Sequence, residues 1–138
     1  MKVTMLLCDH AQIADHKLFI NGAGWNMCGT PTPPHAIAVL VSVPWDQTNV
    51  RFDYQLQLVH EDGRVVTQPG PAGSAPVGAA GSFEVGRPSG VRPGTAIAVP
   101  LVINVAPLPL DPDTGFEWRL LIAGITQEGW SLPFRTLR

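Results

Sequence analysis

Apolar and polar residues alternate with a period of two through most of this chain, and helical spacing is nearly absent. The clearest run is Val50 to His60. There Phe52, Tyr54, Leu56 and Leu58 share one face while Arg51, Asp53, Gln55 and Gln57 share the other, so one side meets a core and the other meets water. Gly115 to Ala123 repeats the pattern, with Phe116, Trp118, Leu120 and Ile122 inward. Ala96 to Val105 does likewise through Ile97, Val99, Leu101, Ile103 and Val105. Pro100, which lacks an amide proton, assigns this strand to a sheet edge or to a bulge. His35 to Val43 is apolar at nearly every position and reads as a central strand covered on both faces.

Shorter signals fill the intervals. Val3 to Cys8 and Lys17 to Asn21 are strands, with Asp9 to His16 as the turn between them. Gly22 and Gly24 can form a bulge before Trp25 and Met27 resume the alternation. Glu61-Asp62-Gly63 is a hairpin turn, because Asp-Gly tolerates the positive φ angles that match strand twist, and Arg64 to Gln68 is its expected partner strand. Residues 69 to 81 are almost entirely Pro, Gly, Ala and Ser and predict a long loop, followed by a strand from Ser82 to Gly86. Trp130, Leu132 and Phe134 close the chain as a hairpin. About nine strands at this spacing predict an all-β fold. The expected form is a two-layer antiparallel β-sandwich, immunoglobulin-like or jelly-roll-like, occupying residues 1–138 as a single domain.

Composition sharpens this picture. The 14 Gly and 14 Pro among 138 residues exclude a long helical bundle, while 45% hydrophobic residues suffice for a core. A net charge of -2 gives no electrostatic case for nucleic acid or an anionic membrane as a partner. The first apolar run stops at Asp9, short of the roughly 7 to 15 apolar residues of an export signal, and no run reaches transmembrane length. The expected location is therefore the cytoplasm, where Cys8 and Cys28 stay reduced.

Candidate chemistry is sparse. Cys8, His10, His16 and Cys28 have zinc-compatible side chains, but no paired knuckle spacing fixes them, so no metal is expected. Asp111-Pro112-Asp113-Thr114-Gly115 opens like a calcium loop and then holds Phe116 and Ile122 where Gly and a bidentate Glu belong. His10, His16, His35 and His60 fall at strand ends or turns, where an exposed histidine is ordinary. No nucleophile elbow and no phosphate-binding glycine loop is present, so neither an enzyme nor a cofactor is expected. Among four tryptophans, Trp45 follows Pro44 and precedes Asp46 in a turn. These three residues are the candidate interface, with Trp45 as an exposed aromatic anchor.

Lys17 to Trp25, Val43 to Gln47, Phe83 to Pro88 and Gly115 to Arg119 together resemble a family of small uncharacterised all-β proteins from actinobacteria and their phages. Leu108 to Trp118 also resembles the corner before the penultimate strand of immunoglobulin-like sandwiches, although Phe116 lacks the hydroxyl that would close it. The family resemblance implies a β-sandwich and supplies no activity. Two readings of function follow. One is a non-catalytic interaction or assembly module that binds a protein partner or a second copy of itself. The other, from the phage association, is a virion component such as a capsid decoration or tail accessory protein. A small enzyme or carbohydrate-binding module is a more distant third.

Overall fold

The computed structural model describes residues 1–138. The chain is all-β, 57% strand, with several sheets and none closed into a barrel. Its strands are β1 (Lys2–Ala14), β2 (Lys17–Ala23), β3 (Met27–Cys28), β4 (His35–Val43), β5 (Phe52–His60), β6 (Thr67–Gly70), β7 (Gly73–Pro76), β8 (Gly78–Phe83), β9 (Ile97–Val105), β10 (Gly115–Ile122) and β11 (Ser131–Thr136). A four-stranded sheet has the order β2-β1-β4-β9, a five-stranded sheet the order β3-β11-β10-β5-β8, and β6-β7 forms a separate ribbon. All pairings are antiparallel except that of β3 with β11, which is parallel. No helix is long and apolar enough to cross a membrane.

The period of two decides which faces are buried. Ile37, Val39, Val41 and Val43 from β4 share one hydrophobic cluster with Leu56 and Leu58 from β5 and with Phe116, Trp118, Leu120 and Ile122 from β10. The inner faces of both larger sheets thus contribute to one core. Burying a side chain of Val, Leu, Ile or Phe stabilises by roughly 1.5 to 3 kcal/mol before chain entropy is subtracted, so these alternating positions carry much of the fold. Trp130 and Phe134 join the same cluster, and Phe134 stacks on Phe116 with ring centroids 5.8 Å apart.

Several expectations need correction. β1 does not stop at Cys8; it runs to Ala14, and only Asp15 and His16, both at positive φ, make the turn into β2. No residue is inserted at Gly22, because His10 faces Asn21 and Cys8 faces Ala23 on either side of it, so there is no bulge. Gly22 instead takes φ +65° beneath the Asp9 carboxylate. Trp25 lies outside any strand.

The segment from 69 to 81 is not a loop: it holds part of β6, all of β7 and the first part of β8, whose backbone pairs compensate for its lack of side chains. The strand expected at Ser82 to Gly86 therefore begins at Gly78 and ends at Phe83. Arg64 to Gln68 pairs with β5 only at the Val59–Val65 bridge, after which the chain leaves for the ribbon and β8 takes the place beside β5. The Asp62-Gly63 turn is as expected, with Gly63 at φ +93° and its N–H donating to the His60 carbonyl at 2.8 Å. Pro100 lies in β9, the outer strand of its sheet, where a missing N–H costs no ladder bond. β4 is central and buried on both faces from His35 to Val39, but Leu40 is exposed.

The outer face at that buried end is covered by the chain itself. Cys8, Ala36 and Ala38 form a second small cluster with Ala11, and Ile20 and Val102 pack against it. The β1–β2 arm therefore lies back across β4 toward β9. Alanine at 36 and 38 leaves the room that this crossing needs.

Candidate functional site

The main concavity is on the outer face of the five-stranded sheet, a cleft of about 560 Å³. Its floor comes from outward positions that register brings side by side. Glu117 of β10 lies between Val59 of β5 and Pro133 of β11; Gly115 faces Arg135, and Arg135 faces Met27 of β3. Glu61 and Asn26 also line the cleft. Met27, 63% exposed, and Pro133 are the apolar side chains open in the cleft, while Val59, on the far side of Glu117, is 2% exposed.

Charges stand among these residues in pairs. Arg119 Nε donates to Glu117 Oε1 at 3.0 Å, the two side chains standing two residues apart on one face of β10. Arg135 Nη1 approaches Glu61 Oε2 at 3.3 Å, and its Nη2 donates to the Asp113 carbonyl at 2.9 Å. Glu61 Oε2 also accepts the Gly115 N–H at 3.0 Å. A Cβ on residue 115 would lie 2.8 Å from that oxygen, so a larger residue there would push the Glu61 carboxylate aside. Glu61 and Arg135 are each about half exposed, so their pair orients side chains more than it stabilises the fold.

The residues singled out from the sequence lie elsewhere. Trp45, Asp46 and Gln47 form a short 3-10 turn after Pro44. Trp45 is not the freely exposed aromatic expected; it is half-buried, because the Arg87 guanidinium lies 4.1 Å over its ring while bonding to the Trp45 carbonyl and to Thr48 Oγ1. Asp46 is exposed and Pro44 half-buried. The sequence pattern does not show the meeting of the cleft residues, because it depends on the strand order β5-β10-β11 and, for Met27, on the parallel β3–β11 pairing. The one available signal was the outward phase of Glu117 and Arg119.

The thiols and histidines are dispersed. Cys8 and Cys28 are free and buried in different clusters. Burial pushes both thiols up, helped at Cys8 by the Asp9 carboxylate and opposed by a backbone bond from His10, so neither is poised as a thiolate nucleophile. His10 lies within β1 rather than at its end. His35 is buried, contrary to the reading of an exposed strand end, and its Nδ1 is 2.9 Å from the Pro33 carbonyl. Its ring sits between Trp25 and Trp118 at centroid distances of 5.5 and 6.1 Å. His60 Nδ1 is 3.0 Å from Asp62 Oδ1.

No curated protein and no solved structure matches this chain. A family model matches residues 3–135, nearly the whole length, and the chain belongs to that family of unknown function, DUF6941.

Proposed function

We propose that the chain is a single-domain, non-catalytic interaction module whose cleft between β3, β11, β10 and β5 docks a protein partner. In this reading the two larger sheets are the layers of an immunoglobulin-like sandwich. The order β1-β4-β9 against β11-β10-β5 matches the A-B-E and G-F-C order of that fold, with β8 extending the second sheet. The observation that carries the function is the make-up of the cleft: exposed Met27 and Pro133 set among the Arg119–Glu117 and Arg135–Glu61 pairs. Exposed apolar side chains beside charged ones are the material of protein interfaces, and charges already paired there set orientation more than strength.

Affinity capture from the native host tests this with three baits. The wild type and an opposite-face variant, Leu40→Asp, are expected to retain one partner that the cleft variant Met27→Asp loses. A partner held equally by all three folded baits would place recognition outside the cleft and end the proposal.

A further inference from the structure

The two larger sheets have four outer strands, β2 and β9 on one and β3 and β8 on the other. An outer strand presents a row of unpaired N–H and C=O groups, and folded proteins blunt such rows with Lys, Pro or short length. Three of these edges are blunted in those ways. β2 starts at Lys17, which pairs with Asp15 at 3.6 Å; β9 carries Pro100 near its middle; β3 has only two residues. β8 has none of these devices. It reads Gly-Ala-Ala-Gly-Ser-Phe, without charge or proline, and it pairs with β5 along its whole length, from Gly78 opposite Gln57 to Phe83 opposite Phe52. From Gly78 to Ser82 its side chains are too small to screen the backbone, and Phe83 is buried in the core. Gly81 is fixed as glycine by the Tyr54 phenol, since a Cβ there would lie 2.6 Å from the hydroxyl oxygen.

We propose that β8 pairs antiparallel with β8 of a second copy of this chain, about a two-fold axis, so that one sheet continues through both copies. The proposal rests on the reading of the chain as an interaction module and adds a second surface to it. Two observations favour a second copy over another partner. First, an axis through Ala80 sets that residue opposite its own copy, Ala79 opposite Gly81 and Gly78 opposite Ser82. From Gly78 to Ser82 every facing pair is then small and uncharged, and the like-charge repulsion that keeps identical edges apart is missing.

Second, the β6–β7 ribbon is exposed everywhere except at half-buried Gly70, and it joins the sheet through bonds at Val66 and Val77. A lone two-stranded ribbon is marginal in water. Because β7 leads into the first residue of β8, antiparallel pairing carries each ribbon to the Phe83 end of the other copy, where it gains a surface to rest on.

Light scattering at protein concentrations up to about 1 mM tests the pairing. The wild type should show twice the single-chain mass of 14.8 kDa. Ala80→Lys, at an exposed position, should halve that mass, whereas Thr4→Lys on the other sheet should leave it doubled. If Ala80→Lys does not fold, mild oxidation of Ala80→Cys decides, since it should give a reducible covalent dimer while Thr4→Cys does not. A single-chain mass for the wild type, a doubled mass that folded Ala80→Lys retains, or no crosslink through Ala80→Cys would overturn the pairing. A partner captured through the cleft by a monomeric wild type would sink this inference and leave the interaction module standing. A dimer without any cleft-dependent partner would do the reverse.

Discussion

His35 shows how one residue couples burial to pH. Its surroundings are two indole rings, and its Nε2, like the Nε1 atoms of Trp25 and Trp118, is buried without a protein hydrogen-bond partner. Desolvation therefore holds the imidazole below its ordinary value of 6.5, with the bond to the Pro33 carbonyl opposing part of the shift. The unfolded chain protonates near pH 6.5 and the folded chain only at lower pH, so across that interval the unfolded state binds more protons. Stability should fall as pH drops below about 6.5, by up to roughly 1.4 kcal/mol per pH unit from this group, until the folded value is reached. Urea midpoints measured between pH 7.5 and 5.5 check the sign, and a midpoint that rises on acidification would contradict it. Asp62 acts in a separate, lower window. The Arg64 N–H holds its carboxyl below 3.8, so its contribution is present above that value and is lost as pH falls through the folded pKa.

Among the strands, the β1–β2 arm depends on alanines that look unremarkable in the sequence. Ala36 and Ala38 are 1% and 2% exposed, yet Leu40, two positions further along the same face of β4, is 39% exposed. The arm ends between them. Ala38→Leu should force the arm outward and cost about 1 to 3 kcal/mol, whereas Leu40→Ala should cost less than about 1 kcal/mol; chemical denaturation of both variants tests the contrast. Equal costs would mean that the arm does not bear on this face. Strand phase was legible wherever side chains alternate, which is why the inward rows of β5, β9 and β10 follow directly from residues such as Leu56, Ile103 and Trp118. It was illegible from 69 to 81, because Gly, Ala, Ser and Pro carry no hydrophobic period and β8 is specified by backbone pairing to β5. The cleft was hidden for a related reason: Met27 and Pro133 are far apart in sequence, and only a two-residue parallel pairing brings them together.

At the scale of the whole molecule, the five-stranded sheet is completed by its two sequence extremes. β11 lies between β3 and β10, so residues 131–136 must reach both residues 27–28 and residues 115–119 before the sheet is continuous. Its burial is deep: Phe134 is 4% exposed, and Thr136, at 1%, donates its hydroxyl to the Asp111 carbonyl while accepting the Thr114 N–H at 3.1 Å. Such a strand is part of the core and not a dispensable tail. Phe134→Ala should cost about 3 to 5 kcal/mol, the range for emptying a buried aromatic site. The same topology bears on rate. Most strand partners here are distant in sequence, so loop-closure entropy is paid before the pairs repay it, and folding belongs in the range of about milliseconds to seconds. Stopped-flow refolding from urea measures that rate directly. Folding complete within microseconds would show that the distant pairings, with β3–β11 the longest of them, do not limit assembly of the core.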